Sequence, residues 1–258
     1  MSGWRLALLA FCLCTGSLSV RAQAEAARWR FVTEVFPPFS YQENGEAAGP
    51  MVDVLKAACQ RLKRTCDISV LPWRRALGMA ERGEVEGIFT VVDTPERRQA
   101  FHLSPPILEA RYSFFSRAES RFQYRKPDDL RGRMVGVYGP SGTLSALREV
   151  GVGQGLDEQV ELDNQTALRK LAAGRYGPEG LVLINERVAQ TLIATENLQG
   201  LRAAGEAKRF HYHFGLARLR LDEADNRAFT QAIRQLCQSG DLQRRLDPYR
   251  LRAAPCPP

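Results

Sequence analysis

Between residues 28 and 92 the chain alternates short β-rich runs with segments of helical period, and this alternation restricts the possible folds more than any other feature. Residues 28–34 (RWRFVTE) alternate polar and apolar side chains and predict a first strand. Two consecutive prolines in Phe36-Pro37-Pro38-Phe39 end it, because each removes an N–H from ladder pairing. Asn44-Gly45 marks a turn. Gly49-Pro50 then opens a helix whose apolar positions Val52, Leu55, Ala58 and Leu62 recur at helical spacing. Residues 67–71 read as a strand closed by Pro72, residues 73–82 as a short helix closed by Gly83, and residues 85–92 as a third strand. Two βαβ units in succession predict a parallel sheet and an α/β fold.

The second half repeats the grammar with different words. Residues 110–117 (ARYSFFSR) are strand-like, and residues 126–130 form a loop and a short helix start. Residues 133–138 (RMVGVY) form a buried strand, followed by Gly139-Pro140-Ser141-Gly142-Thr143 and a helix to about residue 150. A short strand near Val160, a helix over 165–173, a buried strand over 180–184 and a helix over 186–194 describe a second lobe. Residues 209–218 predict a further strand. Residues 223–238 predict an amphipathic helix with Ala228, Phe229, Ala232, Ile233 and Leu236 inward, and residues 241–246 a last helix. No internal repeat, low-complexity tract or heptad pattern stands out.

Chemistry concentrates in the stretch GIFTVVDTPERRQAFHLSPP, residues 87–106. An apolar strand runs into Asp93-Thr94-Pro95-Glu96, where Thr94 suits an N-cap and Pro95 the first helical position. Arg97 and Arg98 follow on the first turn. Open α/β sheets place ligands at the carboxyl ends of their strands. Backbone N–H groups there favour an anion, and a guanidinium offers a planar fork for a carboxylate. The plainer reading is a well-made helix start with a solvated arginine.

The chain has 258 residues, with 36 Lys+Arg against 29 Asp+Glu, and the arginines are scattered. Without a clustered basic face the excess does not describe a nucleic-acid binder. A charged start, an apolar run over residues 6–14 and Ala22-Gln23-Ala24 predict a signal peptide over residues 1–24, cut near Ala24. That run is too short to span a bilayer, so a periplasmic mature chain without a membrane span is expected. Cys12 and Cys14 leave with the signal. The remaining Cys59, Cys66, Cys237 and Cys256 predict disulfides in an exported chain. Three connectivities are open, with neighbour pairing, Cys59 to Cys66 and Cys237 to Cys256, favoured by proximity. The spacings lack the paired C-x-x-C of a zinc site. His211 and His213 on one strand face make a weak metal signal, and no metal or cofactor is expected.

The segments PPFSY, GPMVDVLKAACQRL, PWRRALGMAERGEVEGIF, TPERRQAFHLSPP, DLRGRMVGVYGPSGT, LVLINERVAQ and FGLARLRLDEADNRAFTQAIRQLCQSGDLQRRLDPY, taken in this order, cover nearly the whole mature chain. In them the chain resembles the extracytoplasmic solute-binding proteins of the polar amino-acid type (family 3, type II periplasmic-binding fold), which feed ABC importers. The pair Arg97 and Ser104, seven residues apart, is a mark of the family, and the Cys59/Cys66 spacing is similar to its histidine- and lysine/arginine/ornithine-binding members. The resemblance implies two lobes, each a mostly parallel sheet flanked by helices, with the cleft between them. Residues 25–112 plus 206–258 would form the first and residues 113–205 the second. It further implies that Arg97 holds a ligand carboxylate, helped by backbone N–H groups around Asp93 and by Ser141 and Thr143 at a helix N-terminus. Phe36 and Trp73 would wall the ligand, Tyr41 would lend a hydroxyl, and Asn185 stands where amino-acid binders carry an aspartate for the α-ammonium.

The implied function is capture of a small carboxylate-bearing solute, an amino acid or a related compound, by lobe closure, and its delivery by a monomer to an ABC permease, without catalysis. Two other classes compete. A dehydratase-like enzyme on this scaffold needs an acid/base pair in the cleft, for which Asp93, Glu34 and Glu186 are the available carboxylates. A periplasmic sensing subunit would present the bound ligand to a separate receptor, since no membrane-length segment follows the module.

Overall fold

In the computed structural model, residues 28–256 are described. The signal-peptide expectation, with Cys12 and Cys14, lies outside the described residues. The chain opens with β1 (Arg28–Thr33), which buries Trp29, Phe31 and Val32. A hairpin of β2 (Tyr41–Glu43) and β3 (Glu46–Ala48) turns at Asn44-Gly45. Next come α1 (Pro50–Arg61), β4 (Thr65–Val70), α2 (Trp73–Glu81) and β5 (Gly87–Val92). Pro50 occupies the first turn of α1, where its missing N–H costs nothing. The apolar stripe of α1, including Val52, Leu55 and Ala58, is fully covered. Both β4 and β5 pair parallel to β1, as the two βαβ units predict.

The short helix α3 (Pro95–Ala100) leads through β6 (Phe101–Leu103) into the long β7 (Leu108–Arg117). The second half contains β8 (Met134–Tyr138), α4 (Gly142–Val150), β9 (Asp157–Glu161), α5 (Asn164–Ala172), β10 (Leu181–Asn185) and α6 (Glu186–Thr195). β11 (Leu201–Ala217), α7 (Glu223–Gln238) and α8 (Asp241–Leu246) complete the chain.

Among the described residues the strands form a nine-stranded sheet in the order β4-β1-β5-β11-β7-β10-β8-β9, with β6 also on β11. Its two halves mirror each other. Parallel β4-β1-β5 is closed by antiparallel β11, and parallel β9-β8-β10 by antiparallel β7. β7 and β11 pair with each other along most of their length, so they belong to both halves. This is a two-lobed α/β architecture with a cleft between the two mostly parallel halves of one sheet.

The disulfides join Cys59 to Cys66, tying α1 to β4, and Cys237 to Cys256, tying α7 to the tail. One element is longer than expected: β11 starts at Leu201, not near residue 209. Its first half, LRAAGEAKR, is polar and broken by Gly205, and only pairing with β7 makes it a strand. The expected lobe junctions at 112/113 and 205/206 fall inside β7 and β11, where Ser113 lies opposite Glu206.

Candidate functional site

The ends of β1, β5 and β8 and the start of α4 converge on one enclosed space. Its lining includes Glu34, Phe36, Trp73, Thr90, Val92, Arg97, Tyr112, Tyr138, Ser141 and Thr143. The cavity measures about 30 Å³, room for a water or two. Glu34, Phe36 and Tyr138 also line an adjoining cavity of about 250 Å³ that reaches Asp163, Asn164 and Gln165 at the start of α5.

Arg97 is brought here by its helix start. Thr94 caps α3 by accepting the Arg97 N–H at 3.3 Å, and Pro95 sets the first turn. The guanidinium is only 15% exposed, donates to Glu81 at 2.7 Å and lies 5.9 Å from the centre of the Trp73 ring. Burial lowers its pKa and Glu81 offsets part of that, so the group remains a cation. Arg98 turns outward and forms a fork on Asp93, one arm at 2.6 Å.

Two buried polar atoms in this lining have no hydrogen-bond partner: Trp73 Nε1 and Thr90 Oγ1. Unpaired buried polar groups are uncommon and call for a reason. Thr90 also carries a φ of 66°, the left-handed region that β-branched residues avoid. The cause is a bulge. His213 pairs with Val91 and Phe214 with Phe89, so Thr90 is the extra residue on β5. Strain and an orphaned hydroxyl at one position single this lining out as the candidate site.

Glu34 follows β1 and accepts the Tyr138 hydroxyl at 2.9 Å, a bond from one half to the other. Burial pushes its carboxyl up from 4.5 to about 8, against the lowering effect of that bond. Ser141 caps α4 by accepting the Leu144 N–H, and its own hydroxyl donates to Tyr138 O at 2.6 Å. Thr143 is buried on the first turn of the same helix. Phe36 stacks on Phe39 and meets Tyr212 edge-on, so it serves the core and the cavity wall together.

Three expected site residues stand apart from this lining. Asn185 is buried as the cap of α6: its Oδ1 accepts from Arg187 and Val188, and its Nδ2 donates to Tyr212 at 2.9 Å. Tyr212 in turn bonds Tyr112 at 2.7 Å. Tyr41 lies on the β2–β3 hairpin and bonds with Tyr249. The Asp93 carboxylate is occupied by Arg98. Sequence reasoning passed over Thr90 and gave Glu34 no ligand role; no local signal betrays a bulge or a buried carboxyl. His213 spends Nδ1 on Ser104 O at 2.7 Å, and no group of three or more metal-ligating side chains gathers among the described residues. A roomier groove of about 490 Å³ between the β2–β3 hairpin and β4 has none of the orphaned donors and is a surface feature.

Residues 30–251 match the bacterial extracellular solute-binding proteins, family 3. The chain belongs to that family. It is an extracytoplasmic protein by that membership, and no described helix is long and apolar enough to cross a membrane. It is 24% identical over 210 residues to the L-cystine-binding protein TcyJ of Escherichia coli (strain K12), covering 81% of this chain and 76% of TcyJ. It is 23% identical over 139 residues to the probable amino-acid-binding protein YxeM of Bacillus subtilis (strain 168), covering 54% of this chain but only 52% of YxeM. The fold is similar to that of a histidine kinase sensor domain resembling periplasmic binding proteins, with a TM-score of 0.76 at 20% identity, covering 86% of this chain and 96% of that one.

Proposed function

We propose that this protein captures a small carboxylate-bearing solute in the cleft and delivers it to an ABC importer, without catalysis. Residues 25–112 plus 206–258 act as one lobe and residues 113–205 as the other, closing about the paired strands β7 and β11. The observation that carries this reading is the Arg97 guanidinium, largely buried beside the unpaired Trp73 Nε1 and Thr90 Oγ1. These donors face a cavity that the N-terminus of α4 also lines, and the helix dipole there adds to the pull on an anion. Relatives named as amino-acid and cystine binders agree with a solute of this size. The cavity beside Arg97 is too small for such a solute, so the halves part to admit it and close again with contacts from both sides. Ligand then shifts the equilibrium by the contacts found only in the closed form.

Titration calorimetry against amino acids and small carboxylates tests the reading, with Arg97→Ala expected to lose all measurable binding. An Arg97→Ala protein with wild-type affinity overturns it. The likeness to a kinase sensor domain favours a second reading, in which loaded protein signals to a receptor. Stimulation of a reconstituted permease ATPase, set against stimulation of a sensor kinase, separates the two.

A further inference from the structure

The lining of the Arg97 cavity is unbalanced in charge. It contains one guanidinium and one carboxyl, Glu34, whose Oε2 already accepts the Tyr138 hydroxyl at 2.9 Å. The remaining acids nearby are engaged elsewhere. Glu81 lies on Arg97 itself, and Asp93 is held by Arg98. Asp163 caps α5 by accepting the Thr166 N–H at 2.6 Å. Glu186 lines a separate cavity with Glu109 and Arg111, which alternate with Tyr112 along β7 and therefore face the other way. Asn185 has spent both ends of its amide.

Donors, by contrast, are in surplus. Trp73 Nε1 and Thr90 Oγ1 are unpaired and belong to residues 7% and 8% exposed, and the first turn of α4 reaches the same space with Gly142 and Thr143. An ammonium group closed into this lining meets no free anion, and a buried cation without a partner is costly. An acceptor-rich anion meets a guanidinium, two waiting donors and a helix N-terminus.

Resting on the solute-binding reading above, we propose that the cleft selects small carboxylic acids that carry no amine, in preference to zwitterionic amino acids. For Glu34 to receive an ammonium it must first give up the proton that burial holds to about pH 8. The charged and titratable groups around it do little to help. Tyr138, Tyr112 and Tyr212 are raised by burial, Asp163 stands across the adjoining cavity, and Arg97 is paired with Glu81. Arg74 faces Tyr138 and favours its ionised form. At pH 7 the deprotonation alone disfavours an amine by about tenfold.

Calorimetry at pH 7 with matched pairs tests this: L-leucine against 4-methylpentanoate, L-phenylalanine against 3-phenylpropanoate, L-glutamate against glutarate. The amine-free member of the binding pair is expected to be tighter by about tenfold or more. Its binding releases no proton, as judged by equal heats in two buffers of different ionisation enthalpy, and Glu34→Gln keeps the preference. An amino acid that binds as tightly as its amine-free partner overturns the inference and leaves the solute-binding reading intact. So does amino-acid binding that releases a proton and is lost in Glu34→Gln. Should Glu34→Gln fail to fold, the wild-type affinities and proton release decide. No binding by any member of any pair, or wild-type affinity in Arg97→Ala, overturns the solute-binding reading and this inference with it.

Discussion

Glu34 shows how a single side chain can couple the cleft to the stability of the whole chain. Its carboxyl moves from 4.5 to about 8 on folding, because burial penalises the charged form more than the Tyr138 hydroxyl supports it. Between those values the folded protein holds a proton that the unfolded chain has released. Stability contributed by this group is therefore complete below the lower value, falls as pH rises through the window, and levels off above about pH 8. Glu34→Gln removes the titration while keeping the shape. Denaturant titrations from pH 4 to 9 are expected to show the variant gaining on the wild type as pH rises, by up to a few kcal/mol, since Glu34 keeps some exposed surface. Equal pH dependence in the two proteins would show that Glu34 is ionised in the fold. Thr90 makes the complementary point: its strained backbone and unpaired hydroxyl are local costs borne next to the proposed ligand site.

At the level of elements, β5 and the first turn of α4 approach each other closely across the cleft. A Cβ on Gly142 would stand 2.4 Å from Val92 Cγ2, whereas the backbone of Gly142 does not need the left-handed region. Gly142→Ala is therefore expected to fold normally and to hold the halves slightly apart. Weakened ligand binding by roughly tenfold, with an unfolding free energy changed by less than about 1 kcal/mol, is the expected result. Unchanged affinity would mean that Val92 yields at no cost and closure is not limited there. Gly205, where β11 is bulged against β7, has a different need. Its φ of 125° and the Tyr124 carbonyl 2.4 Å from a would-be Cβ leave no room for a side chain.

For the molecule as a whole, two covalent ties join cysteines outside the lining of the cleft. Cys59–Cys66 closes a separation of seven residues and Cys237–Cys256 one of nineteen. In the loop-entropy account such closures stabilise by about 2–3 kcal/mol each, the longer loop slightly more. Reduction with dithiothreitol is expected to lower the unfolding free energy by a few kcal/mol in denaturant titrations, with ligand affinity unchanged at temperatures where the protein remains folded. Loss of affinity on reduction would show that the ties also set the cleft. The shared strands β7 and β11 give the two halves one sheet, so the closure proposed above would be taken up by twist and bulges in those strands rather than by a loose linker.

What the amino-acid sequence determined by itself was whatever depends on neighbours in the chain. The alternation of residues 28–92 specified parallel strands and their helices, Thr94-Pro95 specified the helix start that carries Arg97, and Ser141 the cap of α4. Those features rest on period, caps and missing N–H groups, all of them local. The remainder was decided only in three dimensions. The polar half of β11 became a strand because β7 lies beside it, and Thr90 became a bulge because β11 runs opposite. Asn185 turned inward to cap α6 and meet Tyr212. Glu34 became a carboxyl raised to about 8 because the folded chain buries it, against the opposing hydrogen bond from Tyr138, 104 residues away. Burial and cross-chain pairing set these outcomes, and neither is written in any single stretch of the chain.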